Sequence, residues 1–318
     1  MFKQMQRSLL LAASVTPLLV TLSCTAALAR TAASGSSAPG FPVTVHTANG
    51  TVKIRAKPTA IVSLSPTATE MLYAIGAARQ VKAVDQYSDY PKGTPITSLD
   101  GNDPNVEAIA SYKPDLVVLS QDTSSLNDEL NALGITVLSD PAAVDLNQEY
   151  RQFDQLGEAT GHVAQAKAAV NTIKAKITQI VKSTPRPAHS QTYYYELDQT
   201  YYSATSSTFI GQVLGLLGLR SIADSAEDAA GSGGYPQLNA EFILKSNPGY
   251  VFLADTICCD QSPATVAARP GWNSLSAIKD GRVLGLNDDI ASRWGPRIVN
   301  LLQEVSAEMR QHPVGSSS

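Results

Sequence analysis

The residues of this chain best suited to bind a ligand lie in two polar segments, each directly after an apolar run. These runs are the predicted strands 61–64 and 81–85, whose residues are mainly apolar. The polar residues that follow them are Ser65, Pro66 and Thr67 in the first segment and Tyr87, Ser88 and Asp89 in the second. Ligands of open α/β sheets bind outside the carboxyl ends of the strands. The two segments are therefore predicted to form one wall of a binding site.

Two adjacent cysteines, Cys258 and Cys259, form a second chemical feature. Their spacing does not fit a zinc site, whose cysteines are usually two to four residues apart. Two interpretations remain open, a vicinal disulfide that faces a ligand or two small thiols buried at a strand end. Acids nearby, Asp255 and Asp260, and the pair Asp288 and Asp289 could line a cleft or form an acid or metal site.

Catalytic motifs are missing from the sequence. It contains no Gly-x-Ser-x-Gly, no His-Glu-x-x-His and no phosphate-binding loop. The four histidines, at positions 46, 162, 189 and 312, form no evident cluster. The sequence therefore favours a binding protein without a resident metal or cofactor over an enzyme, with an adhesive surface protein as a third class.

Composition predicts a folded, mildly acidic protein. Of 318 residues, 43% are apolar and 16% charged, and the net charge is −4. This length accommodates two domains. An acidic chain is a poor partner for nucleic acid, whose binding depends on neutralising phosphates.

The first 29 residues have the pattern of an export signal. Lys3 and Arg7 precede an apolar run at 9–22, and small residues at 27–29 fit a cleavage site. Residues 30–40 are rich in Ala, Ser and Gly, which predicts a flexible leader. Cys24 also partly fits a lipoprotein processing site. The sequence therefore predicts an exported protein, periplasmic or at the cell surface, either freely secreted or held at the membrane only by a lipid on Cys24.

The elements that must position these side chains follow a β-α alternation in both halves. A hairpin is expected around Asn49-Gly50. Strands are predicted at 61–64, 81–85, 116–119, 135–138, 192–197, 250–253 and 282–286, and helices at 66–75, 105–111, 124–133, 208–217, 239–246, 272–278 and 295–310. This alternation is typical of a mostly parallel sheet between helical layers.

The middle of the chain is helical without strands. A first helix is expected to end near residue 159, and a second over 163–182 carries an apolar stripe at three- and four-residue steps. The stripe residues are Val163, Val170, Ile173, Ile177 and Ile180. The predicted division is an N-terminal α/β lobe at 41–146, a helical linker at 147–185, a C-terminal α/β lobe at 186–312 and a tail at 313–318.

One motif recurs in the two halves. Asn105-Val-Glu107 precedes an apolar strand in the first half, and Asn239-Ala-Glu241 precedes one in the second. The halves are thus predicted to be structural equivalents, each with a short helix that leads into a core strand.

With these motifs the chain resembles the solute-binding proteins of ABC importers that capture cobalamin, haem or ferric siderophores. The resemblance covers Phe41 to about Met309. Its residues are the segment 61–70, Tyr-Ser-Asp-Tyr-Pro at 87–91, the two Asn-x-Glu motifs, Lys-Pro-Asp-Leu-Val-Val at 113–118, and 271–283. It implies an α/β fold class with two three-layer lobes, mostly parallel sheets and a single long connecting helix, and a ligand held between the lobes.

The resemblance is nearest to cobalamin binders at Tyr87, whose ring could stack on a flat macrocycle. The sequence also departs from that of cobalamin binders, so a ferric siderophore or haem stays an alternative ligand. Cobalamin binders carry tryptophan near the positions of Leu99 and Ser120, and aromatic residues where this chain has 289–292. Other possible aromatic walls are Tyr201, Tyr202, Tyr235 and Trp294. Arg293 and Arg297 could bind ligand carboxylates or propionates, or form a salt bridge at a helix start.

The resemblance also implies partners. In the family, one glutamate on each lobe meets arginines of the membrane permease, and Glu107 and Glu241 occupy the matching contexts. The expected partners are therefore an ABC permease dimer with its ATPase and a small metal-bearing ligand, with no nucleic acid.

Overall fold

The structure, a computed structural model, describes residues 40–121, 125–186 and 190–314. The signal, most of the leader, Cys24 and Ser124 lie outside the described residues. The first element is an antiparallel hairpin of β1 (Val43–Thr47) and β2 (Gly50–Ile54), in which Thr47 lies opposite Gly50. This confirms the hairpin that was predicted around Asn49-Gly50.

The N-terminal half then forms a four-stranded parallel sheet with the strand order β4-β3-β5-β6. Its elements are β3 (Ile61–Leu64), α1 (Pro66–Ala74), β4 (Val81–Val84), α2 (Val106–Ser111), β5 (Leu116–Leu119), α3 (Leu126–Ala132) and β6 (Thr136–Ser139). Helices α2 and α3 pack on one face through Ile109, Leu126 and Leu130. Helix α1 covers the opposite face through Met71 and Leu72. The lobe therefore has three layers.

Two helices connect the halves, α4 (Leu146–Thr160) and α5 (Val163–Ser183). The long helix agrees with the predicted span within one residue at its end. Its buried stripe contains Ala166 and excludes Val163, which is 42% exposed. The prediction was wrong at Val163 because the side chain that packs on Gly157 of α4 is that of Ala166, while Val163 points to solvent.

The C-terminal half repeats the arrangement in a second parallel sheet, with the order β10-β9-β7-β8. Its elements are β7 (Gln191–Glu196), α6 (Phe209–Gly215), β8 (Leu219–Ser221), α7 (Ala240–Ser246), β9 (Tyr250–Leu253), α8 (Pro263–Ala267), α9 (Ser276–Lys279), β10 (Val283–Gly285), α10 (Asp288–Ser292) and α11 (Ile298–Gln311). Residues of α7, α8 and α9 cover one face, and α6 and α11 cover the other.

Short elements account for most differences from the prediction. Strand β8 and helices α8 and α10 were not predicted, because each has five residues or fewer and too little periodicity to detect. The single helix expected at 272–278 is a 3₁₀ turn, Trp272–Ser274, followed by α9. The last helix begins at Ile298 rather than at Gly295.

One hydrophobic cluster runs through both halves. It joins Met71 of α1, Phe153 of α4 and Ile173 of α5 to Phe252 of β9 and Leu301 of α11. Helix α5 packs on both α4 and α11. The fold is therefore α/β, with two three-layer lobes of parallel strands joined by the helical connection. The predicted domain boundaries, including the linker at 147–185, stay predictions.

Candidate functional site

The first polar segment lies between β3 and α1 and is mostly buried. Ser65 caps α1, since its hydroxyl accepts a hydrogen bond from the Ala68 N–H at 3.2 Å. Pro66 occupies the first turn of the helix, and Thr67 is 4% exposed. The structure thus gives these three residues a part in starting α1, and ligand contact by them stays a prediction.

The second segment projects Tyr87 from a well-fixed loop. Tyr87 is 49% exposed, whereas Ser88 is buried and its hydroxyl accepts a hydrogen bond from Thr69 Oγ1 at 3.1 Å. The Asp85 carboxylate accepts the Tyr87 N–H at 3.0 Å. Burial raises the pKa of Asp85, although hydrogen bonds from Ser88 and Tyr87 oppose this. The loop therefore holds its backbone rigid while the Tyr87 side chain stays available.

A buried carboxylate of one lobe binds two arginines of the other. Glu70 of α1 is 3% exposed. Its carboxylate accepts hydrogen bonds from Arg297 Nε at 2.8 Å and Nη2 at 2.6 Å, and from Arg293 Nη1 at 3.2 Å. The Arg297 guanidinium also lies 4.3 Å from the ring centre of Tyr90. The arginines thus form salt bridges, as one of the two predicted alternatives had it, but the partner lies on the opposite lobe.

Arg293 of the C-terminal lobe contacts the predicted ligand-binding segment Tyr87–Asp89 of the N-terminal lobe. It donates to the Tyr87 carbonyl at 3.0 Å and lies 2.6 Å from Asp289 and 3.6 Å from Asp89. Together with Arg297 it is in contact with three carboxylates, including Glu70. Sequence reasoning did not assign Glu70 to the site; its signal was that it is the one charged residue of α1.

A second contact between the lobes joins α6 to the segment between β6 and α4. The Gln212 amide of α6 donates to the Val144 carbonyl, which follows β6, at 2.7 Å. Loops at the carboxyl ends of both sheets thus face each other. This is the location at which open α/β sheets bind ligands.

The predicted aromatic residues divide into packed and exposed side chains. Tyr201, with a positive φ of 72°, stacks on Trp272 at 6.1 Å, and Trp294 is half-buried, with its indole N–H donating to Gln152 at 3.0 Å. Tyr202 and Tyr235 are 41% and 43% exposed. Tyr202 and Tyr235 therefore have side-chain surface available to contact a ligand, whereas Tyr201 and Trp294 are engaged with neighbouring residues of the protein.

Beneath the C-terminal loops lies a buried acid pair that sequence reasoning did not predict as a unit. Glu196, at the end of β7, forms two hydrogen bonds of 2.6 Å with Arg269. Asp255, after β9, is fully buried beside it, and burial and the charge of Glu196 raise the pKa of Asp255 to about 7. Arg269 also donates to Gln261 Oε1 at 2.7 Å. The pair therefore fixes the loop 255–261.

The cysteines lie on that loop. Cys258 is exposed and Cys259 half-buried, and both are free thiols. Neither interpretation from the sequence holds in the described residues. No disulfide joins the two thiols. They are also not buried, because Asp288 accepts the N–H groups of Ile257 and Cys258 and so turns the loop outward. Burial, hydrogen bonds with Cys259 and Asp288, and the charge of Asp288 raise the pKa of Cys258 to about 12.

The two repeated motifs have the same structure. Asn105 caps α2 by accepting the Ala108 N–H at 2.8 Å, and Asn239 caps α7 by accepting the Phe242 N–H at 2.8 Å. Glu107 and Glu241 are exposed in the first turns of these helices. A carboxylate there also stabilises the helix through its dipole. The equivalence of the halves is therefore confirmed at these motifs.

Other features of the described residues bear on the class of site. A surface cavity of about 590 Å³ lies away from the facing loops. It is lined by Thr192 of β7 and Arg220 of β8, together with Phe242 and Lys245 of α7. Within ranges 40–121, 125–186 and 190–314, no three or more His, Cys, Asp and Glu side chains come together as a metal site. Nor does any helix in those ranges have the length and apolar character needed to cross a membrane.

The fold and the facing loops define a two-lobed α/β ligand-binding protein. The chain belongs to the periplasmic binding protein family, whose sequence profile matches residues 61–290. It is a substrate-binding protein of an ABC transporter and not an enzyme, as the sequence predicted.

Three relatives illustrate the family. An uncharacterized ABC transporter substrate-binding lipoprotein of Bacillus subtilis is 30% identical over 276 residues, which cover 84% of this chain and 85% of the relative. A cobalamin-binding protein of Halobacterium salinarum is 29% identical over 279 residues, which cover 84% of this chain and 74% of the relative. The crystal structure of a possible iron-binding periplasmic solute-binding protein of Staphylococcus epidermidis, at 26% identity, has a TM-score of 0.66 and covers 80% and 99%.

Proposed function

We propose that this protein captures a corrinoid between its two lobes and delivers it to the permease of an ABC importer. The observation that carries the ligand assignment is the saturation of the arginines. Arg293 and Arg297 already contact the carboxylates of Glu70, Asp89 and Asp289. Haem propionates or siderophore carboxylates would need free cations at this position. A corrinoid, whose periphery consists mainly of uncharged amides, needs none.

Exposed aromatic surface supports the same ligand. Tyr87 on one lobe and Tyr202 and Tyr235 on the other are each more than 40% exposed. Aromatic rings pack well on a flat macrocycle. A cobalamin-binding relative at 29% identity adds support. Haem or a ferric siderophore is the second candidate and would require Arg293 to exchange Asp289 for a ligand carboxylate.

Delivery would use the two exposed glutamates and a partner with complementary charge. Glu107 and Glu241 lie on equivalent helices of the two lobes. Fixed charges at two separate points set the orientation of a complex and speed its formation more than they add affinity. The partners are then the permease dimer and its ATPase. Export, with lipid attachment at Cys24, is supported by the lipoprotein relative.

The test is a titration of the protein from residue 30 onward with cyanocobalamin, haem and ferric siderophores. Visible absorption and calorimetry report binding. Saturable binding of cyanocobalamin at micromolar concentration or below, at least tenfold tighter than haem, is the expected result. Tighter binding of haem or a siderophore would contradict the corrinoid assignment.

Tyr87→Ala is the first variant, and Tyr112→Ala is its matched control. Tyr112 is 39% exposed on the same lobe but precedes the amino end of β5, away from the facing loops. Tyr87→Ala is expected to weaken cyanocobalamin binding by about tenfold, because one stacking surface is lost. Equal affinities of the two variants for cyanocobalamin would show that Tyr87 does not contribute to ligand binding.

A further inference from the structure

The cysteine pair, of which Cys258 is exposed and Cys259 half-buried, is connected by contacts to the loop of Tyr87. The Cys258 N–H donates to Asp288 at 2.8 Å, and the adjacent Asp289 contacts Arg293 at 2.6 Å. Arg293 in turn donates to the Tyr87 carbonyl at 3.0 Å. The loop with the thiols follows β9 and therefore lies at the carboxyl end of the C-terminal sheet. Arg293 joins this end of the C-terminal half to Tyr87.

The loop is held firmly at both ends, so the thiols are presented in a fixed position. Thr256 donates to the Leu286 carbonyl at 2.6 Å, and the Gln261 amide donates to the Cys259 carbonyl at 2.9 Å. Gln261 is itself bound by Arg269 at 2.7 Å. These bonds engage the backbone and neighbouring side chains. Cys258 nevertheless stays exposed, next to Ile257, which is 62% exposed.

Two thiols alone do not make a site for a free metal ion, and among the described residues no three or more His, Cys, Asp and Glu side chains are arranged to hold one. A metal that is already held in a macrocycle has different needs. Four or five of its positions are filled by the macrocycle and its own base, and one axial position is left for a single protein ligand. Thiolate sulfur is an effective axial ligand, as it is for haem iron.

We propose that the Cys258–Cys259 thiols provide an axial ligand to the metal of the bound macrocycle. This inference rests on the proposed function and specifies its chemistry. For a cobalt(III) corrinoid with an axial water, the water leaves and a cobalt–sulfur bond forms. The raised pKa of Cys258 keeps the free thiol protonated at pH 7. The proton therefore passes to bulk water only as the metal binds, since coordination to a metal ion deprotonates a thiol. The oxidation states of cobalt and sulfur do not change. Corrinoids with an exchangeable axial ligand would then be preferred over those with a tightly held one.

The experiment compares aquacobalamin with cyanocobalamin, whose upper axial position is held by cyanide. On binding aquacobalamin, the corrin absorption bands are expected to shift to those of a thiolate complex. The affinity is expected to be at least tenfold higher than for cyanocobalamin. The bands of bound cyanocobalamin should not move. Cys258→Ser with Cys259→Ser should remove the shift and equalise the two affinities, and the single variants identify the sulfur that binds.

Two controls separate this mechanism from surface chemistry. Ile257→Ser changes an exposed residue of the same loop and should keep the shift. Prior saturation with cyanocobalamin should block the shift, since the thiols act on a ligand between the lobes. A shift that persists after saturation shows reaction outside the site and overturns the proposal.

The remaining outcomes distinguish this inference from the proposed function. If calorimetry shows that aquacobalamin binds but its absorption bands do not move, axial ligation is overturned and the corrinoid function stands. No heat and no shift with either corrinoid would overturn the corrinoid function itself, and axial ligation with it.

Discussion

Glu70 is the residue on which the contact between the lobes depends most. Its carboxylate is 2% exposed and binds Arg293 and Arg297, which are 14% and 13% exposed. A buried ion pair adds little net stability over an apolar replacement, but removing one partner leaves an uncompensated charge. The cluster is therefore sensitive to single substitutions.

Glu70→Gln is expected to lower the free energy of unfolding by about 3 kcal/mol, because two arginines lose their buried carboxylate. Urea unfolding at pH 7 measures the change. Glu227→Gln, an exposed glutamate of the C-terminal half, is the matched control and should alter stability by less than about 0.5 kcal/mol. Equal effects of the two variants would show that the cluster does not contribute as described.

Asp255 makes stability depend on pH with a definite sign. Its pKa is raised from 3.8 to about 7 in the folded protein, so between these values the folded state binds a proton that the unfolded state does not. Stability then falls as pH rises from about 4 to about 7. Asp255→Asn should therefore flatten the fall in stability between pH 4 and pH 8.

Urea unfolding at several pH values tests this prediction. Asn replaces the O–H donor of the protonated carboxyl by an amide N–H toward Glu196 and removes only the ionisation. Asp260→Asn, at the other side of the cysteine pair, is the control and should leave the pH profile as it is in the native chain. A profile unchanged by Asp255→Asn would show that the buried carboxyl does not titrate in this range.

At the scale of elements, the crossing of α4 and α5 is set by small residues. A Cβ atom added at Gly157 would lie 2.6 Å from the Ala166 Cβ, closer than two side chains can approach. Gly157 therefore allows the connecting helix to pack closely on α4, and this contact supports the connection between the lobes.

Gly157→Ala is expected to lower the free energy of unfolding by about 1–3 kcal/mol, since the two helices must move apart. Gly215→Ala in α6 is the matched control, because nothing lies within 4 Å of the added atom. The control should stabilise the protein by up to about 1 kcal/mol through the better helix propensity of alanine. Thermal unfolding compares the two, and stabilisation by both would contradict the close packing.

Elements with a strong local signal were predictable. Ser65, Asn105 and Asn239 are hydrogen-bonding residues one position before their helices, and each accepts a backbone N–H of the first turn. The helices predicted from 105 and 239 begin one residue later, because the two asparagines are their caps. The short elements β8 and α10 were not predictable, because their formation depends on neighbours supplied by the folded sheet.

At the scale of the whole molecule, the two lobes present equivalent helices with one exposed glutamate each. Glu107 and Glu241 lie in the first turns of α2 and α7, and each helix leads into a fully buried strand, β5 or β9. Docking needs both glutamates only if a partner contacts both lobes at once. Removing both should therefore affect delivery and not capture.

Glu107→Ala with Glu241→Ala is expected to reduce uptake in cells at least tenfold and to leave ligand affinity within twofold. The matched control is Glu129→Ala with Glu227→Ala, which removes one exposed glutamate from each half at other positions. Uptake of radiolabelled cyanocobalamin and calorimetry on the purified variants measure the two properties. Lost ligand affinity in the first double variant would contradict the docking assignment.

The sequence by itself determined the features that depend on near neighbours in the chain. The hairpin at Asn49-Gly50, the β-α alternation and the paired Asn-x-Glu motifs follow from local turn, cap and periodicity signals. The tertiary structure decided which distant residues meet. Glu70 and Arg297 are 227 positions apart, and their contact depends on the placement of the lobes by α4 and α5. The exposure of Cys258 likewise depends on Asp288, 30 positions away, whose carboxylate accepts the Cys258 N–H. Only the folded structure brings this carboxylate to the loop.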